Sequence, residues 1–234
     1  MTAPLLRLIS IDVGGTLGFV REPTITAMLA TASKLPASEV RRILRVTLHV
    51  TPEVTDVLID TVCEALRIDR VFFPKNYVPP PLQLYPWTLS AIKSLSEYAT
   101  LVTLSNVSCL DSDVQALEAS LGDYVTAHYP SCKLGYAKPD PRAFKAVAAR
   151  HHISIATIIH IGDDWECDVL GALTVGARAV WISGGRTAPN NELHRNSNRL
   201  TIVKDLAEAS EYLCTSAALS PMKLTYIDVL DRGV

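Results

Sequence analysis

One stretch of this chain is crowded with acids. Ile161-Gly162-Asp163-Asp164-Trp165-Glu166-Cys167-Asp168 places Asp163, Asp164 and Asp168 within six positions, directly after the apolar run Thr157–Ile161. Hard carboxylate oxygens at that density suit a magnesium ion. A helix N-terminus also favours acids, but this number exceeds what a cap needs. Another carboxylate, Asp12, closes the apolar run Leu5–Asp12 and leads into Gly14-Gly15-Thr16. Glycines there allow the backbone to approach a ligand, although a plain strand-to-loop turn reads the same way. Ser105-Asn106 follow the run Thr100–Leu104; they could donate to a phosphoryl oxygen or cap a helix. Lys138, in Gly135-Tyr-Ala-Lys138-Pro139-Asp140-Pro141, could set a cation beside a substrate anion. The competing reading is a surface lysine ahead of an Asp-Pro helix start.

These residues can cooperate only if their apolar runs are strands of one sheet. Leu5–Asp12 is short, branched and apolar, as a buried parallel strand should be. From Pro23 to about Leu66 the period is helical. Ile25, Met28, Leu29 and Ala32 share a face, Val40, Ile43, Leu44 and Leu48 another, and Thr51-Pro52 opens a third helix carrying Val54, Val57, Leu58 and Val62. Pro79-Pro80-Pro81, inside the aromatic stretch Phe72–Pro86, excludes helix and predicts a stiff return connector. Beyond it the chain alternates. Helices carrying Leu89, Ile92 and Leu95, then Val114, Leu117 and Leu121, then one starting at Asp140-Pro141, accompany strands at Thr100–Leu104 and Thr157–Ile161. A helix after Trp165, strands at Ala179–Ile182 and Leu200–Val203, and a helix from Asp205 to about Leu213 follow. Such alternation predicts an α/β fold with a parallel sheet covered on both faces. Ligands in open parallel sheets bind beyond the carboxyl ends of the strands, and all four polar clusters fall there. Thr215–Val234 has no period and reads as a loose appendage.

Composition sets the outer limits. With 234 residues, 48% of them hydrophobic and 20% charged, the chain can bury a real core. A net charge of −2 lacks the basic excess of a nucleic-acid binder. No apolar run reaches the roughly 18 residues that span a bilayer, and Met1–Ile11 does not read as a signal peptide. The five cysteines are scattered without a Cys-x-x-Cys pair, which argues against structural zinc or a disulfide framework and for a cytoplasmic setting.

In type, order and position the four clusters resemble the motif series of the haloacid dehalogenase-like (HAD) hydrolase superfamily. Asp12-x-Gly-Gly-Thr16 resembles its first motif, Ser105-Asn106 the second, Lys138 the third, and Gly162-Asp163-Asp164-x3-Asp168 the fourth. The resemblance covers about residues 5–213. It implies a three-layer, Rossmann-like core of residues 1–17 and 90–213, a helical cap at 18–89 and a tail at 214–234. It also implies roles. Asp12 would be the nucleophile that becomes an aspartyl-phosphate. Magnesium would lie between Asp12, Asp163 and the backbone carbonyl of Gly14, supported by Asp168 and shared by Asp164. Ser105, Asn106 and Lys138 would hold the phosphoryl group of a small phosphorylated metabolite. A monomer or homodimer without nucleic-acid or membrane partners is expected.

Gly14 departs from the usual phosphatase pattern, which has a second Asp there to protonate the leaving group. Its loss typically costs ~10²–10⁴-fold in rate. Either the leaving group departs unaided, or another acid serves (Glu166, Asp164 or His49), or the protein binds a phosphorylated ligand without efficient turnover. Dehalogenases of the family have an aromatic residue at this position and lack the acidic fourth motif, which this chain keeps. Phosphonoacetaldehyde hydrolases have a small residue there and a cap lysine; Lys34 and Lys75 are the lysines available in the insert.

Overall fold

The computed structural model describes residues 8–21, 23–189 and 198–219, with only the backbone for 216–219. Its centre is a six-stranded sheet. The strands are β1 (Leu8–Ile11), β4 (Thr100–Ser105), β5 (Ala127–Pro130), β6 (Ile158–Gly162), β7 (Arg178–Ile182) and β8 (Leu200–Val203). They lie in the order β5-β4-β1-β6-β7-β8, all parallel. The strands β1 and β6 are buried throughout, because helices cover both faces. One face packs Leu8, Val102 and Ile158 against α7 (Pro141–Arg150) and α8 (Gly171–Thr174). The other packs Ile9, Ile11 and Val180 against α4 (Thr88–Ser96) and α9 (Leu206–Leu219).

The chain leaves β1 for β4 and β5 on one side and for β6, β7 and β8 on the other. The order therefore reverses at β1, and a crevice opens there beyond the carboxyl ends of β4, β1 and β6.

Between β1 and β4 lies the helical insert: α1 (Ile25–Ala32), α2 (Ala37–Val46) and α3 (Asp56–Leu66). Ile25, Leu29, Val40, Leu44, Leu48, Val62 and Leu66 form a core of their own. The insert is entered and left through a two-stranded antiparallel ribbon, β2 (Gly18–Val20) with β3 (Leu82–Leu84). Side-chain contacts that tie it to the sheet layer include Arg45 to Glu166 at 3.2 Å and the Tyr77 hydroxyl donating to Asp111.

Several expectations need correction. The third helix starts at Asp56, not at Thr51-Pro52, because Thr55 is the residue whose hydroxyl accepts from the Leu58 amide. Val54 lies outside it, and Val57 is 75% exposed. Leu89 likewise faces solvent, while Ile92 and Leu95 are buried. The ribbon strands and β5 were not foreseen. The segment after Trp165 is a π-helical turn, Trp165–Leu170, before α8. Helix α9 runs to Leu219, so residues 214–219 continue it rather than opening a tail. Leu5–Arg7 of the first strand and the rest of the tail lie outside the described residues.

Candidate active site

A cavity of about 610 Å³ opens at the switch point, and Asp12, Gly14, Ser105, Asn106, Lys138, Asp163, Asp164 and Asp168 all line it. Three strand ends and one loop thus deliver every site residue expected from sequence to one place. The tight turn after β1 is required by packing. Gly15 has φ +80, and a Cβ there would sit 2.6 Å from the Asp163 carboxyl. At Gly162 an added Cβ would lie 2.3 Å from the Asp168 carboxyl, so the acid row rests directly on the end of β6. Gly14 differs: among the described residues nothing lies within 4 Å of the position its Cβ would take.

Lys138 is the hub. It is 1% exposed, and its Nζ stands 2.7 Å from Asp12 Oδ1 and 2.7 Å from Asp168 Oδ1. Asn106 holds it there by its backbone. The Asn106 amide donates to the Lys138 carbonyl at 2.7 Å and accepts from the Lys138 amide at 2.7 Å. The side chain of Asn106 is therefore engaged in positioning Lys138. Ser105 ends β4 and faces the cavity.

The three acids are not equivalent. Asp168 accepts from Lys138 and, at 3.1 Å, from His160 Nε2, and its other oxygen accepts from the Asp164 amide at 2.9 Å. Burial pushes its pKa up, but Lys138 and His160 outweigh that and hold it below the usual carboxylate range. Asp12 goes the other way: burial and the charge of Asp168 raise it, against the pull of Lys138. Asp163 is pushed up to about 6 by burial and by Asp168. Its carbonyl accepts from Trp181 Nε1 at 3.0 Å and from Arg186 at 2.7 Å, while its carboxyl meets Arg186 only at 3.4 Å. Burial alone would lower Lys138, yet Asp12 and Asp168 keep it firmly protonated.

A divalent cation fits this donor set. Asp12, Asp163 and Asp168 each offer a carboxylate oxygen within 4.8 Å of the others. Oxygen-only donors match magnesium. Burial first, and then the charge of Asp168, raises both Asp12 and Asp163, and the pull of Lys138 does not cancel it.

Of the substitutes for the missing acid, Glu166 and Asp164 are engaged elsewhere. Glu166 pairs with Arg45 across to the insert, with 67% of its side chain exposed. Asp164 accepts from the Cys167 amide at 2.8 Å as a helix cap. His49 lines the cavity, but burial and the nearby Arg45 lower it to about 4, so its ring is neutral at physiological pH. Lys34 and Lys75 do not line the cavity. Sequence reasoning missed His160, Ser10 and Arg186. The first two sit inside strands and the third in the loop after β7, where no motif marks them.

Comparison with known proteins agrees with this arrangement. Residues 135–209 match the model of the HAD-hydrolase-like family. Phospholysine phosphohistidine inorganic pyrophosphate phosphatase of Bos taurus is 31% identical over 108 residues, covering 45% of this chain and 40% of that protein. The 5-amino-6-(5-phospho-D-ribitylamino)uracil phosphatase of Escherichia coli (strain K12) is 30% identical over 95 residues, 41% of this chain and 38% of that protein. The alignments thus span well under half the length of these curated relatives. Among solved structures, 2-haloacid dehalogenase from Pseudomonas syringae pv. Tomato DC3000 shares the fold with a TM-score of 0.56 at 19% identity, covering 91% of this chain and all (100%) of that chain. A HAD phosphatase from Thermococcus onnurineus gives a TM-score of 0.53 at 20% identity, over 89% of this chain and 98% of that chain.

Proposed function

From membership of the haloacid dehalogenase-like hydrolase superfamily, to which this chain belongs, we propose that it is a magnesium-dependent phosphatase for small phosphate compounds with acidic leaving groups. The observation that carries this reading is Asp12. Its carboxylate lies beyond the end of β1, 2.7 Å from a buried lysine, in a cavity where Asp163 and Asp168 each bring a carboxylate oxygen within 4.8 Å.

In the proposed sequence an Asp12 oxygen attacks phosphorus, the bond from phosphorus to the leaving oxygen breaks, and that oxygen leaves with the electron pair. An aspartyl-phosphate results, and water then attacks it to release phosphate and restore the carboxylate. Asp12, Asp163 and the Gly14 carbonyl would hold the magnesium ion, with Asp168 behind them. The bound ion would neutralise charge between nucleophile and phosphate. Lys138 would hold a phosphoryl oxygen and would favour the ionised form of Asp12 against its burial, and Ser105, which lines the same cavity, would assist.

The leaving-group preference comes from the residues around Gly14. No side chain stands at position 14, and Glu166, Asp164 and His49 are paired, capping or neutral. Aryl and acyl oxygens, or phosphate leaving pyrophosphate, depart without a proton; an alkoxide needs one. The curated relative named for inorganic pyrophosphate fits that class. The absence of both lysines from the cavity and the retained acids speak against the phosphonatase and dehalogenase alternatives. The test is turnover of p-nitrophenyl phosphate, acetyl phosphate and pyrophosphate with and without Mg²⁺, for wild type and Asp12→Asn. Metal-dependent activity lost in Asp12→Asn supports the reading. A wild type that binds Mg²⁺ and turns over none of the three leaves the binding-protein alternative.

A further inference from the structure

Behind the acid row a hydrogen-bonded chain runs into the centre of the sheet. Ser10 on β1 and His160 on β6 are directly paired in register, and each is 1% exposed. Ser10 Oγ lies 2.7 Å from His160 Nδ1, and His160 Nε2 lies 3.1 Å from Asp168 Oδ1. Asp168 Oδ1 then meets Lys138 Nζ at 2.7 Å, and Lys138 Nζ meets Asp12 Oδ1 at 2.7 Å. Such residues interrupt a strand that is otherwise apolar.

We propose that His160, oriented by Ser10, is a positioning residue that fixes Asp168 as the acceptor for Lys138 and so leaves Asp12 and Asp163 as the pair open to a cation. An ionised carboxylate only accepts, so the imidazole proton must lie on Nε2. In the neutral ring Nδ1 is then bare and accepts the Ser10 hydroxyl proton, which selects that tautomer. Phe144 meets the imidazole edge-on at 5.1 Å and 90°, which packs the ring in place. Asp168 ends with donors on both oxygens: Lys138 and His160 on one, the Asp164 amide on the other. Among the described residues Asp12 has only Lys138, and the Asp163 carboxyl only the distant Arg186. Remove the imidazole donor, and Asp168 becomes an underpaired buried charge. Lys138 is then drawn toward it and away from Asp12, and the carboxylate is free to compete for the ion.

This inference leans on the phosphatase reading only for its kinetic arm. Nitrogen-15 NMR of the metal-free protein should show His160 neutral at pH 7 with its proton on Nε2, and Ser10→Ala should weaken that preference. A proton on Nδ1, or a charged ring, overturns the proposal whether or not the protein binds metal or turns over any ester. Mg²⁺ titration by calorimetry supplies the second arm. His160→Leu should weaken binding by roughly 10- to 100-fold, the usual effect of losing a group behind a ligand. His160→Gln, whose amide nitrogen can reach the place of Nε2, should recover most of it. In turnover the same ordering should appear in kcat, with KM little changed. A purely structural His160 would lower the melting temperature of both variants alike and leave Mg²⁺ affinity of the folded protein unchanged, and that result would also overturn it. If wild type hydrolyses nothing yet binds Mg²⁺, the phosphatase reading fails while the NMR and calorimetric arms still decide this one.

Discussion

At the scale of single residues, Gly14 and Lys138 mark the two extremes of the site. Among the described residues nothing lies within 4 Å of a Cβ added at Gly14, so Gly14→Asp meets no clash at its first side-chain atom. The added carboxyl would supply the proton an alkoxide needs. Alkyl-phosphate turnover should rise by up to ~10²-fold while aryl-phosphate turnover changes little. Equal gains on both esters would mean that proton delivery does not limit the wild type. Lys138 has no such room for change. Lys138→Met would leave Asp12 and Asp168 buried without their shared cation, and the expected loss is about 3–5 kcal/mol in denaturant melts together with all activity. The acids and the lysine were legible in the sequence because each directly follows an apolar run or precedes a helix cap. Asn106 lines the cavity as expected, but a one-dimensional pattern cannot show that its amide clasps the Lys138 backbone. His160 and Ser10 were illegible for a related reason. Their meaning comes from cross-strand register, which periodicity does not encode.

Among elements, the insert shows how local signals can compete. Thr51-Pro52 and Thr55 both look like helix starts four residues apart, and Thr55 caps because its hydroxyl reaches the Leu58 amide. The Thr51 hydroxyl instead donates to the Thr47 carbonyl at 2.9 Å. Thr55→Ala should therefore cost ~1 kcal/mol, and Thr51→Ala about half of that or less, read from urea midpoints. The reverse order would restore the earlier start for α3. The strand β5 escaped notice because it is short, sits at the sheet edge, and carries His128, Tyr129 and Pro130 instead of an apolar run. An edge strand tolerates proline, since one side of its ladder is unpaired. The ribbon β2–β3 was hidden beside glycine and the proline run, where the return connector was expected to be merely extended. The core strands were read well because burial on both faces makes them uniformly apolar.

For the molecule as a whole, the parallel sheet buries acids where its order reverses, and folding must carry the cost of their burial and, after it, their repulsion. The Asp163 carboxyl moves from 3.8 in an unfolded chain to about 6 when folded. Across that window the folded state keeps a proton that the unfolded chain has released. The group therefore favours folding below pH ~4, and this favour is lost as pH rises through about 6. Asp12, also raised, acts in the same sense; Asp168, lowered, acts oppositely, but only at more acidic pH. A cation held by the ionised pair would relieve this repulsion only once both carboxyls have lost their protons. The melting-temperature rise produced by Mg²⁺ should thus be small at pH 5 and grow toward pH 7.5. At a hundredfold excess over its dissociation constant the ion should contribute about 2.7 kcal/mol. Taking the difference with and without Mg²⁺ at each pH removes contributions from groups remote from the site. Asp163→Asn should flatten that difference, because it deletes both the titration and one ligand. A Mg²⁺-induced rise of equal size at pH 5 and pH 7.5 would show that the acids at the switch point are not what the ion meets.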